Sequence, residues 1–334
     1  MTCLSVSLSL YSLNLPHYIL RRILQAIPLL LGALAINFLL IHLAPGDPIY
    51  LLAGDGGDER YYAEMRARFG LDQPIQNQMG LYFFNAAQGE FGYSYVYNQP
   101  VFQVISARLP PTLLLLLPAF LLSTGIAIVL GMLAARRAHS PIDHAIAVIT
   151  LIGYGMPAFW LGQLLVLGFA VTVRWFPVQG MTDVRQSYEG LAYWLDVLRH
   201  LVLPMLTLGL LNLALVTRLT RTGLREELAE EYVRTAYAKG LRESYVLERH
   251  ALRNALLPVV TAIGNYIPTL FTGAVLTEII FAWPGLGRLL YDATLARDYP
   301  LLMGIFIFVA ACVILSNLLT DIAYTFLDPR VRLH

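Results

Sequence analysis

Beyond the Arg21-Arg22 pair, six stretches of 18 residues or more contain no Asp, Glu, Lys or Arg, and nothing else in this 334-residue chain constrains its fold as much. They run over 23–46, 109–135, 144–173, 200–217, 254–277 and 299–320. A helix needs about 20 apolar residues to cross hydrocarbon, and one charge at mid-bilayer costs about 2.5 to 3.5 kcal/mol on insertion scales. Each run is therefore predicted to span a membrane. The shortest, 200–217, still covers about 27 Å at the helical rise of about 1.5 Å per residue. Composition agrees: 57% of residues are hydrophobic and 13% charged, which excludes an ordinary soluble enzyme and a disordered chain. A net charge of +1 supplies no basic field for nucleic acid. The two cysteines, Cys3 and Cys312, are too few for a disulfide framework.

Arginine sets the direction. Arg21 and Arg22 precede the first run, Arg136 and Arg137 follow the second, Arg330 and Arg332 follow the sixth, and eight basic residues lie between the fourth and fifth. That places 14 of the 23 basic residues on one side, while the long loop after the first run carries seven acids. By the positive-inside rule both termini are expected in the cytoplasm.

The expected organisation is a poorly determined prefix over 1–17, a first transmembrane helix over 18–44 and an extracytoplasmic lid over 45–107. A transmembrane core over 108–327 follows, with helices at about 109–135, 145–173, 200–220, 255–280 and 300–326, a cytoplasmic loop over 223–254 and a tail over 328–334. The prefix lacks the basic region of a secretory signal and reads as floppy or as a misplaced start. In the lid, Tyr62, Met65 and Phe69 predict one short helix over 59–69. Lid aromatics such as Tyr82, Phe83 and Tyr93 suit either an interfacial belt or a ligand contact.

Catalytic motifs are absent. No zinc-binding His-Glu-x-x-His, serine elbow or Cys-x-x-Cys occurs, so no catalytic residue, metal ligand or cofactor is assigned to this chain. The single lysine stands in Ala238-Lys239-Gly240-Leu241, the wrong order for a phosphate-cradling loop. The clean runs also lack the midplane acids of many ion-coupled carriers. Glu278 and Asp321 lie toward run ends, and Asn317 with Asp321 fits an interhelical polar contact.

Within the cytoplasmic loop, Val233, Ala236, Tyr237, Gly240 and Leu241 form a one-faced apolar stripe on a short helix. Acids lead it and basic residues close it, as the helix dipole favours. Ala236 is small enough to admit a partner's backbone, and Gly240 suits the turn at the helix end. A helix lying on lipid headgroups is an equal reading of the same pattern. Further along, Gly153, Gly155 and Pro157 ahead of Trp160 predict either a helix break or a packing notch in the third run.

The stretch from Glu231-Tyr232-Val233-Arg234-Thr235-Ala236-Tyr237-Ala238-Lys239-Gly240-Leu241 to Asn254-Ala255-Leu256-Leu257-Pro258 resembles the coupling loop of ABC importer permeases of the dipeptide/oligopeptide/nickel family. Pro45-Gly46-Asp47-Pro48, Gly153-Tyr154-Gly155-Met156-Pro157, Thr277-Glu278-Ile279-Ile280-Phe281-Ala282-Trp283-Pro284-Gly285-Leu286-Gly287-Arg288, Arg297-Asp298-Tyr299-Pro300 and Asp328-Pro329-Arg330 match in the same order. The likeness is to the first permease of dipeptide systems. It implies an all-α polytopic protein with six transmembrane helices in the type I importer permease fold. The implied partners are a second homologous permease, two cytoplasmic ATPase subunits that bind the ATP, and a periplasmic peptide-binding protein, in addition to membrane lipid. The implied function is import of di- and oligopeptides across the inner membrane by alternating access. Nickel chelates or glutathione are alternative cargoes, and a stand-alone channel or secondary carrier is the alternative class. On this resemblance Tyr232, Val233, Arg234, Ala236, Tyr237, Gly240 and Leu241 couple to an ATPase. Glu278, Trp283, Gly285, Gly287, Arg288 and Asp298 form an outer-mouth loop in which the glycines allow a tight turn and Arg288 with Asp298 holds it closed. Gly153, Gly155, Pro157 and Trp160 form a helix break at the pathway.

Overall fold

Backbone polar groups inside hydrocarbon must satisfy one another, and within one segment only a helix does this. The computed structural model is accordingly helical. It describes residues 59–68, 72–94 and 96–327, together with 20–21, 24–25, 27–36 and 38–39, and gives the backbone alone at 61, 65–68, 265–273, 319 and 321–327. The prefix, the Pro45-Gly46-Asp47-Pro48 turn, the Asn317–Asp321 contact and the tail lie outside the described residues.

The elements are α1 (Ile27–Ile36), α2 (Glu59–Arg68), α3 (Ile75–Ala87), a two-stranded antiparallel hairpin of β1 (Tyr93–Ser94) and β2 (Gln99–Pro100), α4 (Val101–Arg136), α5 (Pro141–Gly155) and α6 (Ala158–Leu165). A π-helical stretch, Val166–Thr172, continues α6. Then come α7 (Gly190–Ala229), α8 (Glu231–Ala238), short helical turns between Glu243 and Ala255, α9 (Leu257–Ile280), α10 (Leu286–Leu295) and α11 (Tyr299–Leu327). Among the described residues α4, α7 and the Tyr299–Leu318 part of α11 are long and apolar enough to cross a membrane.

Two helices begin well before their charge-free runs. α7 is 40 residues long and begins at Gly190, well before 200, because Asp196 and Arg199 remain helical where the helix meets polar surroundings. Asp196 accepts the Asp183 amide at 2.7 Å, and Arg199 donates to the Trp175 carbonyl at 3.4 Å. Absence of charge marks the hydrocarbon crossing, not the helix. α4 likewise starts at Val101. The lid sequence yields α2 as expected, and also α3 and the hairpin, which the periodicity did not reveal.

The described residues form two compact units, one from those up to Pro110 with Leu289–Leu318, the other from Pro111–Arg288 with 319–327. In the second unit α7 is the spine. Leu115, Leu116 and Ala119 of α4 pack with Val197, Leu201 and Leu208 of α7 around buried Trp283. Farther along, Ala127, Val216 and Val259 form a second layer. In the first unit Gly304 of α11 crosses α4 so closely that a Cβ there would strike the Val101 side chain. Tyr82 of α3 stacks obliquely on Phe38, centroids 5.9 Å apart.

Candidate functional site

The α8 region is built by local chemistry. Glu230 is extended, φ −69° and ψ 150°, and separates α8 from α7. At the other end Gly240 has φ +78°. The Gly240 amide bonds the Tyr237 carbonyl at 2.9 Å, and the Leu241 amide reaches back to the Ala236 carbonyl at 3.4 Å. This pairing is a Schellman cap, which needs a left-handed residue at that position. The turn expected at Gly240 is therefore present.

The stripe is divided: Val233 and Ala236 turn inward, while Tyr237, Gly240 and Leu241 stay exposed. Val233 and Ala236 are buried against Leu224, Val246, Leu247, Ala251 and Ala255 of the same chain, with Ala135 of α4 alongside. Ala236 has no room for a partner's backbone, because the chain's own next turns cover it. The surface that remains open is carried by Tyr232, Arg234, Tyr237 and Leu241. The helix is also tied down by polar contacts. Tyr232 donates to Glu227 at 2.5 Å, and Asn254 donates to Tyr232 at 3.3 Å. Desolvation first, and then the Glu227 carboxylate, push the Tyr232 phenol up to about 12. Arg136 at the end of α4 pairs with Glu243 at 3.4 Å.

In the second unit, residues 278–288 are all buried or half-buried. Glu278 at the end of α9 is fully buried and accepts from Thr112 Oγ1 at 2.8 Å, the Gly287 amide at 2.7 Å and the Arg288 amide at 3.0 Å. Those amides belong to the first turn of α10, where a helix presents free N–H groups and a positive dipole end to a carboxylate. Thr112 completes the clamp by accepting the Leu286 amide at 2.7 Å. Trp283 is fully buried and donates to the Pro111 carbonyl at 2.8 Å. Gly285 and Gly287, expected to allow a tight turn, serve close approach. A Cβ on Gly285 would land on the Glu278 carboxylate, and one on Gly287 would lie 2.5 Å from Val275 Cα. The Arg288 guanidinium donates to the Ala282 carbonyl at 2.8 Å. Glu278, Trp283, Gly285 and Gly287 thus lie inside the protein rather than at an open mouth.

In the first unit, buried Asp298 receives the Ser94 hydroxyl at 2.5 Å and the Val96 amide at 3.2 Å through Oδ2, while its Oδ1 accepts the Leu301 amide at 3.3 Å. It caps α11 and holds the hairpin with the same carboxylate.

Both readings of the third run are realised. α5 and α6 bend by 106° at Met156–Pro157. Pro157 has no N–H to continue the ladder, and Met156 before it is pushed to φ −85°, ψ 130°. Gly153 is a notch, since a Cβ there would sit 2.8 Å from Leu210 Cγ of α7, whereas Gly155 faces open space. Trp160 is half exposed one turn beyond the break. Gly153→Val should cost about 1 to 3 kcal/mol through overpacking, while Gly155→Ala should be neutral or gain about 0.4 to 1 kcal/mol through the unfolded chain. Thermal unfolding in detergent compares the two.

Two polar contacts escaped sequence reasoning. Asp143, buried in the first turn of α5, takes a two-pronged pair from Arg221 of α7 at 2.5 and 2.8 Å. Ser140 caps α5 through the Asp143 amide at 3.3 Å, and the Ser140-Pro141-Ile142-Asp143 pattern is a legible helix start. Inside the apolar run, fully buried Asn212 donates to Ser123 at 2.7 Å and Thr124 at 2.8 Å. Asn212 is the lone amide of 200–217, which was the available signal. Among the described residues no group of three or more His, Cys, Asp and Glu is placed to hold a metal ion.

Apolar helices long enough to span, an apolar helix pair broken at proline and a short surface helix folded onto their ends define a polytopic helical membrane protein. Comparison with known proteins narrows this. The model for binding-protein-dependent transport system inner membrane components matches residues 127–333, and that for the N-terminal part of such components matches 15–116. The chain is 40% identical over 316 residues to the oligopeptide transport system permease protein AppB of Bacillus subtilis, covering 94% of this chain and 99% of that one. It is 40% identical over 336 residues to the dipeptide transport system permease protein DppB of Escherichia coli K12, covering 95% and 98%. It is also 40% identical over 330 residues to the di/tripeptide permease protein DppB of Pseudomonas aeruginosa, covering 94% and 98%. An inward-facing structure of the MetNI methionine ABC transporter shares the fold, with a TM-score of 0.54 at 16% identity, covering 68% of this chain and 97% of the matched one. The chain belongs to the binding-protein-dependent transport system inner membrane component family. It is a multi-pass inner-membrane permease of an ABC transport system, and not its ATPase subunit.

Proposed function

We propose that this permease imports di- and oligopeptides as the first of two homologous permeases, with two cytoplasmic ATPases and a periplasmic peptide-binding protein. It crosses the inner membrane six times with both termini in the cytoplasm, and residues 45–107 form the extracytoplasmic lid. Peptide is preferred over nickel chelates or glutathione because the three relatives described above are named as peptide permeases. No cofactor belongs to this chain; ATP binds the partners.

The observation that carries the coupling role is α8 itself: a capped helix backed by a buried cluster, with Arg234, Tyr237 and Leu241 exposed. Aromatic and arginine side chains are the usual anchors of protein interfaces. A rigidly backed helix transmits displacement where a floppy loop would absorb it. Closure of the ATPases on ATP then presses α8, and the closed pair must prefer the outward-open permease for transport to follow. The 278–298 segment serves as a hinge brace under the outer surface, with Arg288 its most accessible member of the clamp. The break around Pro157 lets α5 and α6 tilt separately along the pathway.

Tyr237→Glu tests the coupling face. Loss of an anchor worth about 2 kcal/mol should lower ATPase co-purification by about thirtyfold, with permease unfolding shifted by no more than about 0.5 kcal/mol, as for other surface positions. Wild-type co-purification and uptake in this variant would remove α8 from the interface.

A further inference from the structure

We propose that the Asp143–Arg221 ion pair is a positioning pair that makes the broken helix α5–α6 follow α7 when α8 is displaced; this rests on the coupling role given to α8 above. Arg221 approaches Asp143 edge-on, with Nε to Oδ1 at 2.5 Å and Nη2 to Oδ2 at 2.8 Å. The remaining capacity of Oδ2 is taken by the His139 amide at 3.0 Å. One turn along α7, Arg225 meets His139 Nε2 at 3.1 Å. The connection between α4 and α5 is therefore gripped by two successive turns of α7.

The same turns of α7 hold the coupling segment. Leu224 is buried in the cluster under α8, and Gly223 lies so close to the following turns that a Cβ would be 2.9 Å from the Ala255 carbonyl. The end of α7 thus joins α8 on one side to the start of α5 on the other. Farther along, the Gly153–Leu210 notch keeps α5 seated on α7.

Adhesion alone does not call for this chemistry. Desolvating two charges offsets much of their attraction, and a well-packed apolar pair holds two helices at least as well. A two-pronged guanidinium–carboxylate pair adds fixed orientation, the property needed when rotation of α7 must turn α5 with it.

The test uses the whole transporter, co-produced with its neighbouring subunits, reconstituted with its binding protein and supplied with radiolabelled dialanine. Asp143→Asn with Arg221→Gln removes both charges and strands neither. This neutral pair should co-purify with the ATPases and keep basal ATP hydrolysis, while uptake per ATP falls about tenfold, within the usual range of coupling between sites. The exchanged pair, Asp143→Arg with Arg221→Asp, should recover most of that loss. Wild-type uptake per ATP in the neutral pair overturns the proposal, and so does failure of that pair to assemble, which would make the contact structural. Failure of the underlying readings looks different. Wild-type permease that does not retain ATPases counts against coupling through α8. Wild-type transporter that hydrolyses ATP without moving dialanine counts against the peptide assignment, and binding-protein stimulation of ATP hydrolysis then replaces uptake as the readout, with the same fall expected in the neutral pair.

Discussion

Gly285→Val is expected to leave almost no folded permease in the membrane. The position has no empty volume, because the first side-chain atom would coincide with the Glu278 carboxylate. That carboxylate cannot step aside without releasing Thr112 and the two amides of α10 that it holds. Stranding a buried charged group and its donors costs about 3 to 5 kcal/mol, a large part of the roughly 5 to 15 kcal/mol that stabilises a typical domain. Even Gly285→Ala should show most of the loss, since the clash is with Cβ itself. Gly125→Ala, where the added atom meets open space, is the matched control and should behave like wild type. Membrane abundance and thermal unfolding in detergent measure the contrast; equal stability of Gly285→Ala and Gly125→Ala would show that the carboxylate clamp is not what the glycine serves.

Asp298→Ala is expected to detach the β1–β2 hairpin from the start of α11. Three donors lose their acceptor at once: the Ser94 hydroxyl and the Val96 and Leu301 amides. Loss of the helix cap at the Leu301 amide costs about 1 kcal/mol, and each of the two other donors left unpaired adds about 1 to 3 kcal/mol, so a total of about 3 to 7 kcal/mol is expected. Hydrogen exchange should accelerate at Val96 and Leu301 while the amides of α7 stay protected. Asp298→Asn keeps a side-chain acceptor and should lose much less. Unchanged exchange at Val96 in the alanine variant would place the hairpin's stability elsewhere.

These two carboxylates show how position along a chain misleads about environment. Glu278 and Asp298 flank an apparent loop rich in Gly, Pro and Trp, so they read as residues of an exposed mouth. Their donors are Thr112 and Ser94, more than 150 residues away in the sequence, and no periodicity predicts such a meeting. Asp143 and Arg221 escaped for the same reason, although Ser140-Pro141 announced the helix that carries the acid. The apolar stripe of α8 was visible at its spacing, yet spacing says only that one face is apolar and not what covers it. Here the covering comes from Leu224 on one side and Val246 to Ala255 on the other.

What could be read without coordinates is what depends on neighbours in sequence and on solvent. Runs free of charge imply helices in lipid, because an unpaired peptide group or a charge is too costly there. Proline at 157 removes an amide and so breaks a helix; glycine at 240 accepts a left-handed backbone and so ends one. Which acid clamps which helix, which glycine exists for contact rather than for turning, and which face of α8 stays open were set by folding, because each depends on groups that meet only when distant segments pack and water leaves between them.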